Sequence, residues 1–182
     1  MPIRSLIAWR WKDLREALTT APDARTWLAC AFVYAAFLLA AAPIGLLAGL
    51  LRPAVPHLSP GEAIGTGLLI LLQPALFEEV VFRGLLLPRD VRRMSPSRVA
   101  AIAGAGLAVY VASHPLNAWL FRPDVLGLFA SPVYLVLASL LGLACTSAYF
   151  ISRSIWPPVA MHWLTVVTWI WFLGGQALLG RR

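Results

Sequence analysis

The sequence predicts an all-α fold: a polytopic membrane helix bundle of about five transmembrane helices, preceded by an amphipathic helix at the membrane interface. Three observations carry that prediction. The chain of 182 residues is 60% hydrophobic and only 13% charged, with a mean hydropathy of +0.77, which is too apolar for a water-soluble domain of this size. Its apolar residues fall in five runs, each long enough to cross a hydrocarbon layer of ~30 Å at ~1.5 Å per residue. Its charges gather mostly between those runs.

Residues 1–25 form the N-terminal segment. The stretch "MPIRSLIAWRWKDLREALTT" is mixed and basic, without the apolar h-region of a cleavable signal peptide. Trp9, Arg10, Trp11, Lys12 and Arg15 suit a helix lying on the cytoplasmic interface. Residues 26–180 form a single membrane domain, with spans predicted over 27–51, 63–87, 99–120, 133–151 and 156–179. Pro53, Pro56 and Pro60 mark the first connection, where His57 reads as a solvated loop histidine. "PRDVRRMSPSR" marks the second, "FRPDVLG" the third and "SRSIWPP" the fourth. Pro157 and Pro158 open the last helix where proline is tolerated. Trp156 reads as an interfacial anchor, and Trp163, Trp169 and Trp171 as packing residues. Internal repeats and low-complexity tracts are absent from the sequence.

The net charge is +7, and Lys12 is the only lysine. These charges flank apolar spans and form no compact basic face with interleaved aromatics, so membrane lipid is the expected partner and nucleic acid is excluded. The N-terminal segment and the connection holding Arg89, Arg92, Arg93 and Arg98 carry most of the arginine. Two spans separate them, so both fall on the cytoplasmic side of a multi-pass cell-membrane protein, and Arg153 falls there too. Arg181 and Arg182 fall outside, against the rule, unless the last span is re-entrant. Cys30 and Cys145 lie in apolar runs without CxxC spacing and read as small buried hydrophobes.

One span is anomalous. "LFEEVVFRGLLL" places Glu78, Glu79 and Arg83 where lipid should be, and each charge at the bilayer centre costs ~2.5 to 3.5 kcal/mol. Glu79 and Arg83 are four apart in the favourable acid-before-base order, about 40° around a helix. Glu78 lies about 100° from Glu79 and about 140° from Arg83. Arg83 therefore neutralises Glu79, and Glu78 is left without a helical partner, as a general base requires. Pro74, four residues before Glu78, removes a backbone hydrogen bond and is expected to kink the helix. Polar glue between helices is the plain alternative for all three groups.

The histidines weigh against that alternative. His114 and His162 fall on the third and fifth spans. One Glu and two His on separate helices can hold a water, the Glu taking its proton and the imidazoles orienting it or receiving charge. The same three residues, Glu78, His114 and His162, also match a hydrolytic zinc site.

These residues carry a resemblance. "EEVVFR" (residues 78–83) resembles the EExxxR motif of the CPBP family, the CAAX prenyl protease type 2, bacteriocin-processing and Abi-like family of intramembrane proteases. "YVASH" (110–114) is similar to its FxxxH motif, with Tyr110 for phenylalanine. "HWLTV" (162–166) falls where the family has a histidine followed four residues later by Asn or Asp. The resemblance covers about residues 61–174, with all three motifs in order. It implies an intramembrane endopeptidase, in a family classed with metallo-endopeptidases, acting through a glutamate-activated water. The expected substrate is a membrane-tethered or hydrophobic protein or peptide cut near its C-terminus, either a CAAX-type tail or a sorting signal. Carried over, Glu78 is the general base, His114 helps activate the water and His162 stabilises the oxyanion, with Glu79 and Arg83 in support. No cofactor is required on that mechanism, a divalent ion such as zinc being the alternative.

Val166 departs from the pattern, and valine cannot donate the missing hydrogen bond. Thr165 and Asn117 are the candidate substitutes, Asn117 being the better donor. Without either, the chain is a catalytically degenerate immunity or partner protein. A transporter fits less well, given five short spans without repeats. Depth sets a further condition. His114 lies ~24 Å along its helix from Arg98, deeper than Glu78 or His162 from their own flanking arginines. The third helix must therefore begin outside the membrane, tilt, or break near Pro115. The sequence ends in "GRR" and so is not itself a CAAX substrate.

Overall fold

Each long helix of the membrane domain but the last begins where the sequence supplies an Asp or Ser cap. The computed structural model describes residues 3–54 and 58–180, with side chains from Arg10 onward. His57, Pro56, Arg181, Arg182 and the Trp9 side chain lie outside the described residues. In chain order the elements are α1 (Ile3–Thr19), α2 (Ala24–Leu47), α3 (Pro60–Ile70), α4 (Phe77–Glu79), α5 (Pro96–Phe121), α6 (Leu126–Phe129), α7 (Pro132–Ser152), α8 (Trp156–Phe172) and α9 (Gly175–Leu178). No strand occurs among the described residues. Asp23 accepts the Thr26 N–H at 2.8 Å to cap α2. Ser59 and Glu62 close a capping box on α3, with Pro60 in its first turn. Ser95 and Ser131 cap α5 and α7, each followed by a proline. α8 opens on Pro157 and Pro158.

The second span is interrupted as Pro74 predicts. Proline lacks an N–H and disfavours helical geometry in the residue before it. Gln73 is accordingly extended, at φ −143° and ψ 117°. Beyond the short α4, residues Val80–Leu85 wind as π-helix, a wider coil that often accompanies functional sites.

α2 packs along α7 through small residues. Ala41, Ala144, Cys145 and Ala148 bring the two backbones together beside Phe37 and Cys30. Both cysteines are buried and free. Their thiols point at carbonyls, Cys30 at Ala148 O (3.8 Å) and Cys145 at Pro158 O (3.7 Å).

α1 does more than lie on an interface. Trp11 and Lys12 face outward, whereas Leu14 and Ala17 are buried. Leu14 covers Gly84, where an added Cβ would stand 2.6 Å from its Cδ1. Ile155 N–H donates to Ala17 O at 3.1 Å, and the Trp156 indole donates to Leu18 O at 2.9 Å. Arg89 ties the arrangement together by donating to Glu16 Oε2 (2.8 Å), Thr20 Oγ1 (2.8 Å) and Arg153 O (2.9 Å). α1 and the connections around residues 86–95 and 153–155 therefore share one face of the bundle.

α5 runs unbroken through Pro115 for 26 residues, about 39 Å at ~1.5 Å per residue. The depth of His114 thus comes from a helix longer than the hydrocarbon layer and not from a break. The last helix is shorter than the sequence predicts. α8 ends at Phe172 after 17 residues, because Gly174 turns the chain at φ 81°. Arg52 N–H and Ala54 N–H donate to Leu173 O and Phe172 O, which fastens the α2–α3 connection to this end. Leu179 then packs back with Ile170 and Val125. Four segments among the described residues, Ala24–Leu47, Pro60–Leu85, Pro96–Phe121 and Pro132–Ser152, are long and apolar enough to cross a membrane. Their outward faces expose Phe32, Leu39, Leu68 and Trp119, as a lipid-facing surface requires.

Candidate active site

The acid–base pair read from the sequence forms, and it has a third member. Arg83 donates to Glu79 Oε1 at 3.0 Å, both side chains being buried. His162 Nδ1 lies 2.8 Å from the same oxygen. A second Arg83 nitrogen donates to Gly142 O at 2.9 Å, and its guanidinium carbon sits 4.5 Å from the Tyr110 ring centroid. Glu79 Oε1 accepts from the guanidinium, and an acceptor oxygen of a carboxylate takes a hydrogen from its second neighbour as well. His162 Nδ1 therefore carries the hydrogen, and the ring is held with Nε2 turned the other way.

Glu78 lies on that other side. Its Oε2 is 4.0 Å from His162 Nε2, too far for a direct hydrogen bond. That oxygen is buried and has no hydrogen-bond partner. A spacing of 4.0 Å between two inward-facing polar atoms allows one water to contact both.

His114 stands on α5, four residues beyond Tyr110. Its Nδ1 is 2.9 Å from Tyr110 O. A carbonyl only accepts, so Nδ1 is the protonated nitrogen and Nε2 presents a lone pair. The ring meets Tyr110 edge-on at 4.8 Å and lies 5.6 Å from Tyr134. Tyr110 in turn lies 6.4 Å from the His162 ring. The tyrosine in the second motif is thus a buried spacer between both imidazoles and Arg83.

Glu78, His114, His162, Asn117, Thr165 and Val166 all line one cavity of about 1020 Å³. Glu79 and Arg83 lie behind its wall. Thr165 is already engaged, with Tyr34 (3.2 Å) and Met161 O (2.8 Å), which leaves Asn117 as the freer donor of the two substitutes. Sequence reasoning missed Gln73 and Tyr134, which line the same cavity. The residue before Pro74 was a legible signal for Gln73. Nothing in the sequence singled out Tyr134, which faces His114 from a different helix.

Zinc chemistry needs three converging ligands. Among the described residues no three His, Cys, Asp or Glu side chains gather closely enough to hold one ion. Glu78 and His162 approach one another at 4.0 Å, while the His114 ring packs against Tyr110.

Residues 60–168 match the family model described as type II CAAX prenyl endopeptidase Rce1-like. The match covers more than half of the chain and contains Glu78, Glu79, Arg83, His114 and His162. No curated protein and no solved structure matches the chain.

Proposed function

The chain belongs to the Rce1-like family of type II CAAX prenyl endopeptidases, and from that premise we propose that it hydrolyses a peptide bond within the membrane by a glutamate-activated water. The single observation behind this reading is the pair of inward-facing atoms Glu78 Oε2 and His162 Nε2, 4.0 Å apart at the base of the cavity. Glu78 takes the proton of a water held between them, and the hydroxide attacks the scissile carbonyl. His114 Nε2, with its free lone pair, orients that water. His162, held through Nδ1 by Glu79, turns Nε2 toward the oxyanion. Asn117 supplies the second oxyanion donor in place of Val166. Glu78 returns its proton to the leaving amine. The Glu79–Arg83 pair acts as a positioning unit, and no metal takes part.

The N-terminus, α1 and the arginine-rich connections face the cytoplasm on this reading. The substrate is a membrane-tethered or hydrophobic protein or peptide cut near its C-terminus, in locally unfolded backbone. Val166 favours one competing reading, a degenerate partner protein that retains the polar cluster for packing. Profiling of peptide termini in membranes expressing wild type or Glu78→Gln at equal levels separates the two. New termini that vanish in Glu78→Gln support the protease, whereas identical profiles support the partner protein.

A further inference from the structure

The cavity has a direction. α2, α5 and α8 start on the α1 face and run away from it, and α7 returns toward it. On α2 the cavity wall begins at Tyr34, and it continues past the helix end to Leu51. On α5 it begins at Tyr110 and reaches Arg122, and on α8 it begins at His162 and reaches Leu173. α7 contributes only within its first ten residues, 132–141. Every helix thus lines the cavity from the level of Glu78 and His162 outward, away from α1. Toward α1 the path is filled. Ala17, Leu87, Tyr149 and Ile155 form a buried cluster there, Leu14 covers Gly84, and Arg83 closes onto Gly142 O.

The charges orient this asymmetry. By sequence, ten of the fifteen Lys and Arg residues lie in the N-terminal segment, the first turn of α2 and the two connections on the α1 face, whereas among the described residues Arg52 and Arg122 lie at the opposite ends. The positive-inside rule makes the α1 face cytoplasmic. We infer that the site is loaded from the non-cytoplasmic side: the substrate is an exported, membrane-tethered chain whose apolar scissile segment enters from the outer leaflet. A prenylated tail presented from the cytoplasm would meet the packed α1 face. Of the two substrate types the family resemblance allows, this selects the sorting-signal type. The inference rests on the hydrolytic reading above for what happens to the segment, but the direction of access rests on the cavity alone.

Two measurements test it separately. In the first, a membrane-impermeant charged thiol reagent is applied to intact cells and to inside-out vesicles. Ala138→Cys puts a thiol on the cavity wall, and Ser97→Cys puts one on the arginine-rich face. The native protein, whose two cysteines are buried, is the control. Ala138→Cys is expected to react in intact cells and lose that reaction in inside-out vesicles, with Ser97→Cys doing the reverse. Leu51→Cys at the rim repeats the measurement should Ala138→Cys fail to accumulate. Reaction of the cavity thiol in inside-out vesicles, or from neither side, overturns the inference. Adding Glu78→Gln leaves the labelling pattern unchanged.

In the second measurement, one apolar peptide is tethered by a single span so that it is presented outward in one reporter and inward in another. Glu78-dependent cleavage of the outward reporter alone is expected. Glu78-dependent cleavage of the inward reporter overturns the direction of access and leaves the hydrolytic reading standing. Cleavage of neither, with the labelling pattern intact, overturns the hydrolytic reading and leaves the direction of access standing.

Discussion

His162 Nδ1 and Glu79 Oε1 are 2.8 Å apart, on helices separated by 83 positions in the chain, and the same oxygen accepts from Arg83 at 3.0 Å. One carboxylate thus fixes both the orientation and the tautomer of the imidazole that faces Glu78. Glu79→Gln keeps the shape of the side chain but removes the carboxylate that Arg83 and His162 both contact. The expected outcome is a loss of ~10²- to 10⁴-fold in kcat, with KM little changed and the fold intact. Steady-state kinetics on the purified variant check it.

Arg83→Met should act on stability first. Arg83 and Glu79 are 1% and 0% exposed. Removing the guanidinium leaves the buried Glu79 carboxylate with His162 alone against it, at a cost of ~3 to 5 kcal/mol. Unfolding of the variant in detergent measures it. The double variant Arg83→Met/Glu79→Gln should recover part of the loss, because no buried charge is left alone.

Asn117 and Val166 can be tested against each other. If Asn117 donates to the oxyanion, Asn117→Ala lowers the rate ~10²- to 10³-fold. Val166→Asn restores the residue type of the family motif, and in the Asn117→Ala background it should recover most of that loss. Unchanged activity in Asn117→Ala would remove Asn117 from the site.

Gly142 has no room for a methyl group. An added Cβ would stand 2.6 Å from Leu107 Cδ1 and 2.8 Å from Tyr110 Cδ1. The leucine can turn aside, but the ring is pinned between Arg83 and His114. Gly142→Ala should therefore destabilise by ~1 to 3 kcal/mol and lower activity as the Tyr110 ring shifts. Thermal unfolding and activity read together check both effects.

Arg89 anchors α1 through Glu16 and Thr20. Arg89→Ala should raise amide hydrogen exchange over residues 10–20 while leaving exchange in α7 unchanged. Equal protection in variant and wild type would show that Leu14 and Ala17 hold α1 on their own.

Much of this architecture was legible because membrane helices announce themselves by length and apolarity. The Glu79–Arg83 pair followed from four-residue spacing, and the interruption at Gln73 followed from Pro74. Spacing along one helix could not reveal that Glu79 also holds His162, because that contact crosses between helices. The early end of α8 at Phe172 escaped notice because the following residues, Leu173 to Leu179, stay apolar. Only the turn at Gly174 separates them from the helix. The docking of α1 was hidden for a similar reason: its pattern suits a lipid interface as well as the protein surface that covers Leu14 and Ala17.

The account turns on Glu78 activating a water without a metal. The most direct measurement is the single-turnover cleavage rate of a peptide defined by terminus profiling, using purified wild type and Glu78→Gln before and after exhaustive chelation. The predicted result is a wild-type rate unmoved by chelation and a Glu78→Gln rate lower by at least ~10³-fold. A wild-type rate abolished by chelation and restored by zinc, or a Glu78→Gln rate equal to wild type, would contradict it.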